Sequence, residues 1–467
     1  MDTNHSAIEK LFARTASFQK VDIPSHKMFK STYIGGCQST PLGRESIDFS
    51  FEDLFLLMLP FINIVDAIDR CVMNKDIVTK NLLKLVYEID PGINFNDISE
   101  LSNSKTQQLL FKQMIIANGK YKFDILYDHM NNLFLQKAKK IKANKKFLKI
   151  KTADGINFLI WCCKYKKSED FIIYLLDTYG KKCKPGHIDS KSNTALLWAC
   201  HNEMTDVALK LIDTFGIECK PGHIDSKSNT ALLWACYNKM TDVALKLIDT
   251  FGIECKPGQI DDTNNTVLSW ACCKKMTDVA LKLIDKFGME CNPGQINGNS
   301  DTALLWACYH KMTDVALKLI DTFGIECKPG QIDDTNNTAL MFACYEKMSD
   351  VAIALIDKFG MECKPGQINS KSCTALILTC YNELPDVSTK LIYKFGIECK
   401  PGQININDNT ALLGACRKKM TNVALTLIDT FGIECKPGYV NNRGMSAIDF
   451  AEKNEMFDVL SKMISIE

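Results

Sequence analysis

The chain of 467 residues lacks any imbalance of charge: 56 lysines and arginines face 55 aspartates and glutamates, a net of +1. Without that excess there is no global pull toward nucleic acid or an anionic membrane surface. Long apolar runs are missing as well. The longest, LFLLMLPFINIV at 54–65, is broken by Pro60 and falls short of the ~20 residues a membrane-spanning helix needs. The opening stretch, MDTNHSAIEKLFARTASFQK, has no apolar core of the kind a secretory signal requires. No glycine-rich phosphate loop, metal-ligating triad or nucleophile-and-base arrangement stands out. These absences point to a soluble, cytoplasmic, non-enzymatic chain with no cofactor and no metal site. Cysteine, by contrast, is plentiful at 21 residues. With no secretory signal, reduced thiols are expected rather than a disulfide framework.

What the chain has is repetition. FGIECKPG begins at 215, 251, 323, 395 and 431, with near copies at 179, 287 and 359. Thr194, Thr230, Thr266, Thr302, Thr338, Thr374 and Thr410 stand 36 residues apart, and Ser446 continues the series. One earlier unit, 155–180, carries one extra residue between its two segments. Nine units therefore run through 151–467, and the last, 442–467, is more polar and lacks the Cys-Lys-Pro-Gly phrase.

Within a unit such as 193–228, TALLWAC is an apolar run long enough for two helical turns. TDVALKLIDTFG then places Val207, Ala208, Leu211, Ile212 and Phe215 on one broad helical face. Thr205 is placed to cap or open this second helix, where Pro385 stands in another unit. Gly216 is expected as a left-handed C-cap, followed by an extended Ile-Glu-Cys. Lys-Pro-Gly-Gln suits a type II turn with positive φ at the glycine. A unit this small cannot cover its own apolar faces, so stacking is expected to bury them in a solenoid. The fold class is all-α: helix, turn, helix and loop, nine times over, with a separate helical region before it.

The pattern NTALLWAC…TDVALKLIDTFGIEC resembles the ankyrin repeat, T-P-L-H-x-A-A, a turn, V-V-x-L-L, then glycine and a loop. The period is 36 rather than about 33, and Ala195 and Leu197 replace the family's proline and histidine. Tetratricopeptide repeats are the alternative, but their spaced tryptophan, glycine and tyrosine are missing. The last unit is similar to an ankyrin C-terminal cap. The near-identical tandem units, rich in asparagine, lysine and isoleucine, resemble the expanded ankyrin families of giant DNA viruses of amoebae. That resemblance implies a partner protein of the host cell; no small-molecule substrate is expected, and the charge balance and short apolar runs argue against a membrane or nucleic acid as ligand.

The cysteines form two ladders. Cys163, Cys200, Cys236, Cys272, Cys308, Cys344, Cys380 and Cys416 lie in the first helices. Cys183, Cys219, Cys255, Cys291, Cys327, Cys363, Cys399 and Cys435 lie in the loops. Equivalent positions one helix spacing apart, about 8–10 Å, are too far for a disulfide, whose Cα atoms lie within about 7 Å. Both ladders are read as small buried apolar residues.

Differences between units concentrate at the loop tips and just after the first-helix cysteine. There the residue is His201, Tyr237, Cys273, Tyr309, Tyr345, Tyr381 or Arg417. In ankyrin proteins these regions form the concave recognition surface. The resemblance thus implies a partner-binding face at His201, Tyr237, Tyr309, Tyr345, Tyr381 and Arg417. Trp198, Trp234, Trp270 and Trp306, three residues earlier, are expected to pack between units.

Before the repeats, 1–45 is expected to be loosely structured and 46–150 helical. Residues 54–75 resemble an F-box through Met58-Leu59-Pro60-Phe61-Ile62 and Asp66. That would make the chain a substrate-recruiting adaptor for a ubiquitin ligase; degenerate repeats or a helical cap are the other readings. Residues 136–151 hold eight lysines, read as a solvated face and linker; a nuclear import signal or a nucleic-acid patch is the alternative, though no run of aromatics interleaves for base stacking.

Overall fold

The computed structural model describes residues 123, 124, 127, 131, 148, 149, 151, 152 and 154–466. The expected N-terminal segments 1–45 and 46–150, the F-box-like stretch and the lysine-rich 136–151 lie outside the described residues, apart from those isolated positions. The chain divides into two compact units, Met1–Lys184 and Pro185–Glu467. The first holds one helix pair, Phe158–Lys164 and Glu169–Tyr179, ending in a 3-10 turn at Gly180–Cys183. Asn157 caps the first of these helices, its Oδ1 accepting from Ile160 N at 2.8 Å. Phe123, Phe158, Trp161, Tyr127 and Phe171 form an aromatic cluster there, with centroids 5.1–6.4 Å apart.

The second compact unit is a stack of helix pairs. First helices run Ala195–His201, Ala231–Tyr237, Val267–Cys273, Ala303–Tyr309, Ala339–Tyr345, Ala375–Tyr381, Ala411–Arg417 and Ala447–Lys453. Second helices run Thr205–Phe215, Thr241–Phe251, Thr277–Phe287, Thr313–Phe323, Ser349–Phe359, Pro385–Phe395, Thr421–Phe431 and Phe457–Ile466. Among the described residues there is no strand, only isolated bridges such as Ile260 with Thr266. The all-α repeat and its period are as the sequence predicts.

Local chemistry sets the boundaries. Thr194 Oγ1 accepts from Leu197 N at 3.1 Å and starts the first helix, as its counterparts do in every unit. Thr205 does not cap the second helix; it is the first helical residue, and its hydroxyl makes no capping bond. Val207, Ala208, Leu211 and Ile212 are fully buried on the predicted face.

The loop phrase departs from expectation in three ways. Gly216 has positive φ, but its φ of 51° and ψ of −131° lie outside the left-handed helical region, where glycine alone is at ease. Ile-Glu-Cys is not extended: Gly216–Cys219 forms one 3-10 turn. The left-handed residue is instead Lys220, at φ 56° and ψ 64°. The following turn is not type II, because Gly222 is absent from the positive-φ glycines. It closes with His223 N donating to Lys220 O at 3.1 Å. Gly222 is required for another reason: a β-carbon there would overlap the Glu254 carbonyl oxygen of the next unit.

Two ladders tie successive units together. On the second helices, Lys246 pairs with Asp213, Lys282 with Asp249, Lys318 with Asp285 and Lys390 with Asp357, each at 2.6 Å. Position 354 is alanine, and Asp321 turns to Lys358 at 3.5 Å instead. Where Tyr393 replaces the aspartate, Thr426 replaces its lysine, so both partners change together. Exposed pairs of this kind contribute about 0–1 kcal/mol each, so they register the stack more than they stabilise it. At the loop tips, an Asp or Asn in each unit organises the turn. Asp261 Oδ1, for example, accepts from Thr263 N and Asn265 N, both at 2.9 Å. Where that residue is asparagine, its amide reaches the previous unit: Asn297 donates to Asn265 at 3.0 Å, Asn369 to Asn337 at 2.8 Å and Asn441 to Asn409 at 2.9 Å.

Candidate functional site

The residue that ends most of the first helices faces outward. His201, Tyr237, Tyr309, Tyr345 and Arg417 are exposed; Tyr381 and Cys273 are half-buried. Exposure is 42% at Tyr237, 49% at Tyr309 and 58% at Tyr345. These are accessible rings held at a fixed register.

Their neighbours are the tryptophans. His201 sits edge-on between Trp198, at 5.2 Å, and Trp234 of the next unit, at 4.4 Å. Tyr237 repeats this between Trp234, at 5.6 Å, and Trp270, at 4.9 Å. Tyr309 does so between Trp306, at 5.8 Å, and Phe342, at 5.3 Å. Interplanar angles of 72–89° make these edge-to-face contacts. The tryptophans pack between units, as expected, and the tyrosines pack against them. Trp198, Trp234, Trp270 and Trp306 are themselves half-buried, and the two residue types form one aromatic staircase.

The staircase is anchored from the loops. Asp225 and Asp261 use their second carboxylate oxygen to accept the indole N–H of Trp234, at 3.3 Å, and Trp270, at 2.7 Å. Those aspartates are not apparent as site residues in the sequence. Their signal is an Asp nine positions before a tryptophan.

At two places the pattern changes. Cys273 supplies no ring, and His310 lies flat on Trp306, 5.6 Å away at an interplanar angle of 15°. Burial, then the charge of Lys275, lowers the His310 pKa, which favours the neutral ring at neutral pH. Tyr381 lies against Gly414, where a β-carbon would come within 2.7 Å of its ring. The glycine replaces the aromatic of the other units, and the tyrosine folds into the space. Its hydroxyl is buried, and burial pushes its pKa up to about 12. Arg417 covers the ring at 6.0 Å. Tyr381 is thus a packing residue more than an open one.

The next position, variable in the sequence, is partly structural. Asn238 Nδ2 donates to Cys200 O at 2.9 Å and His201 O at 3.0 Å. Asn382 and Asn454 do the same to the preceding first helix. These amides satisfy carbonyls left open at a helix end. Lys274 instead lies over Tyr237, at 4.6 Å, and Trp270, at 5.3 Å.

Both cysteine ladders are buried, as expected. The loop thiols are more than small apolar groups. Cys219, Cys255, Cys291, Cys327, Cys363, Cys399 and Cys435 each donate Sγ–H to the glycine carbonyl three residues before, at 2.8–3.0 Å. Each closes its own 3-10 turn. Burial pushes these thiols up to about 12, and a thiol held protonated is a poor nucleophile.

Residues 287–365 match the family model of ankyrin repeats (3 copies). The match agrees with the helix-turn-helix units found on both sides of that segment, and the array has the ankyrin-type solenoid fold. No curated protein matches the chain.

Proposed function

We propose that the chain is a non-enzymatic scaffold that binds a partner protein on the aromatic staircase of its first helices. Ankyrin repeats are in general protein–protein interaction modules, and the family is typically non-catalytic. The observation that carries the reading is the run of rings at one register, with Tyr237, Tyr309 and Tyr345 left 42–58% exposed. Such rings supply contact area and a hydroxyl at low entropic cost. His201, Tyr381 and Arg417 extend the same register, Tyr381 as a support. This is the face that the ankyrin resemblance makes the concave recognition surface. A host-cell protein is the partner on the resemblance to viral ankyrin families.

The test is affinity capture from cell lysate with the full chain and with Tyr309→Ala/Tyr345→Ala, compared by mass spectrometry. Proteins held by the wild type should be lost with the variant, at roughly 30-fold in affinity for each anchor ring. The rings are exposed, so the melting temperature should move by only a few degrees. Unfolding of the variant, or an unchanged set of captured proteins, rejects the staircase as the binding face.

A further inference from the structure

We propose that the staircase accepts an extended acidic segment of its partner, whose carboxylates meet a row of four lysines: Lys239, Lys275, Lys311 and Lys347. This rests on the reading of that face as the binding site and adds the chemistry of the occupant.

The four lysines hold one place in four successive units, two residues after the staircase position. Each is exposed, with a left-handed backbone at φ 56°, 62°, 57° and 59°. In those units the outward triplets are Tyr-Asn-Lys, Cys-Lys-Lys, Tyr-His-Lys and Tyr-Glu-Lys, five lysines against one glutamate. The row has ends: the same place is Glu203 before it and Glu383 after it.

The chain forms close ion pairs elsewhere but not along this row, where Glu383 acts on Lys347 only from a distance. The second-helix lysines Lys246, Lys282, Lys318 and Lys390 each have an aspartate at 2.6 Å. Beyond the row, Glu383 pairs with Lys418 at 2.6 Å. Among the described residues, Lys239, Lys275, Lys311 and Lys347 form no ion pair. Their field reaches the staircase: Lys275 and Lys239 both disfavour the charged form of His310. A positive row in a chain of net charge +1 is a local design that complements an anion.

Spacing selects the form of the anion. Successive tryptophans are linked through one intervening ring, with centroid steps of 5.2 and 4.4 Å, then 5.6 and 4.9 Å. These steps limit the advance per unit to about 10 Å, which suits three residues of a polyproline II chain at about 3.1 Å each, whose side chains return to one face every third residue. An acidic side chain at every third residue meets one lysine per unit, and the residues between face the rings. The rings pack edge to face and leave few open faces on which bases could stack, which favours a peptide over single-stranded nucleic acid.

The experiment immobilises the full-length chain and selects from a displayed library of random linear peptides of about a dozen residues. Recovered peptides should carry Asp or Glu at three-residue spacing and should bind more weakly as salt is raised. The quadruple change Lys239→Glu, Lys275→Glu, Lys311→Glu, Lys347→Glu should weaken them by about 100-fold, at about threefold for each surface contact. Changing the same four to Gln should have a smaller effect in the same direction, and Lys246→Glu on a second helix should have almost none. Recovery of no peptides, or of peptides without acidic enrichment, overturns the proposal. So does retained binding by a folded quadruple variant, or displacement of the peptide by oligothymidylate in preference to acidic competitors. Neutral peptides that are lost with Tyr309→Ala/Tyr345→Ala would overturn the acidic partner while leaving the aromatic face standing.

Discussion

Gly258 lies so close to Glu290 of the next unit that a β-carbon on the glycine would overlap the glutamate's carbonyl oxygen. The same relation links Gly186 to Glu218, Gly222 to Glu254 and Gly330 to Glu362. It fixes the sign of a simple experiment. At a turn glycine with negative φ and free space, alanine would stabilise by about 0.4–1 kcal/mol through the unfolded chain. Overpacking against a neighbouring backbone costs about 1–3 kcal/mol instead. Gly258→Ala should therefore lower stability in chemical denaturation, and a gain would show that the units do not meet at this point.

Asp301 breaks the amide ladder between units. Where Asn265 and Asn297, or Asn337 and Asn369, join by an amide bond, the corresponding pair is Asp301 and Asp333, two carboxylates. Burial, and then the charges of Asp333 and Asp334 against the opposing bond from Asn297, push the Asp301 carboxyl up to about 6. The folded state thus holds this proton more tightly than the unfolded chain, whose aspartates titrate near about 3.9. Its ionisation costs stability above about pH 6, and the cost disappears as pH falls through 6 toward 4. Asp301→Asn should raise stability at neutral pH by about 1 kcal/mol, a figure reduced because solvent screens a half-exposed group. The gain should vanish near pH 4. Equal gains at both pH values in paired melts would rule out the carboxylate pair as the cause.

Lys328 is left-handed, at φ 51°, a conformation that costs a residue with a β-carbon about 1–2 kcal/mol. One unit already carries a better solution. Asn292 takes the equivalent place, and its Nδ2 donates to Gly258 O at 2.8 Å. Lys328→Asn should gain on both counts, about 1 kcal/mol in total, read as a rise in melting temperature. No change, or a fall, would mean that the lysine stem contributes more than the backbone strain removes.

Cys272 and Cys273 adjoin in sequence but not in environment. Cys272 is fully buried and Cys273 only half-buried. Among the described cysteines, native alkylation followed by peptide mapping should label Cys273 first and leave Cys272 and the loop thiols unmodified until denaturant is added. Rapid native labelling of Cys327 or Cys363 would contradict their place inside closed 3-10 turns.

Much of the array is legible in the sequence because its determinants repeat. Threonine caps, the apolar face of the second helix and the positive φ of Gly216 each recur at one interval, and each has a local cause. The misreadings share a different origin. Gly222 looks like a turn glycine, yet its role is set by Glu254, a residue of the following unit. Asn238 looks like a variable surface residue, yet it serves the carbonyls of Cys200 and His201. Tyr381 reads as the equal of Tyr345, but Gly414 of the next unit draws it inward. Composition within a unit cannot reveal contacts whose other half lies some 32–38 residues away. The paired change at Tyr393 and Thr426 is the exception, since both halves of a contact altered together.

Because the joints between repeats recur with the same partners, the array behaves as a text that can be cut and rejoined at any whole multiple of its period. Excision of one 36-residue phrase brings a new Pro-Gly turn against an equivalent carbonyl and a new lysine against an equivalent aspartate. Slippage between near-identical gene segments would then lengthen or shorten the molecule without disturbing how any neighbour is held. The misfits are the places where that freedom ends. Tyr393 without its following Thr426, or Asp301 beside an asparagine amide, would meet a stranger across the joint. Such positions mark which repeats have become particular to their neighbours and can no longer be exchanged.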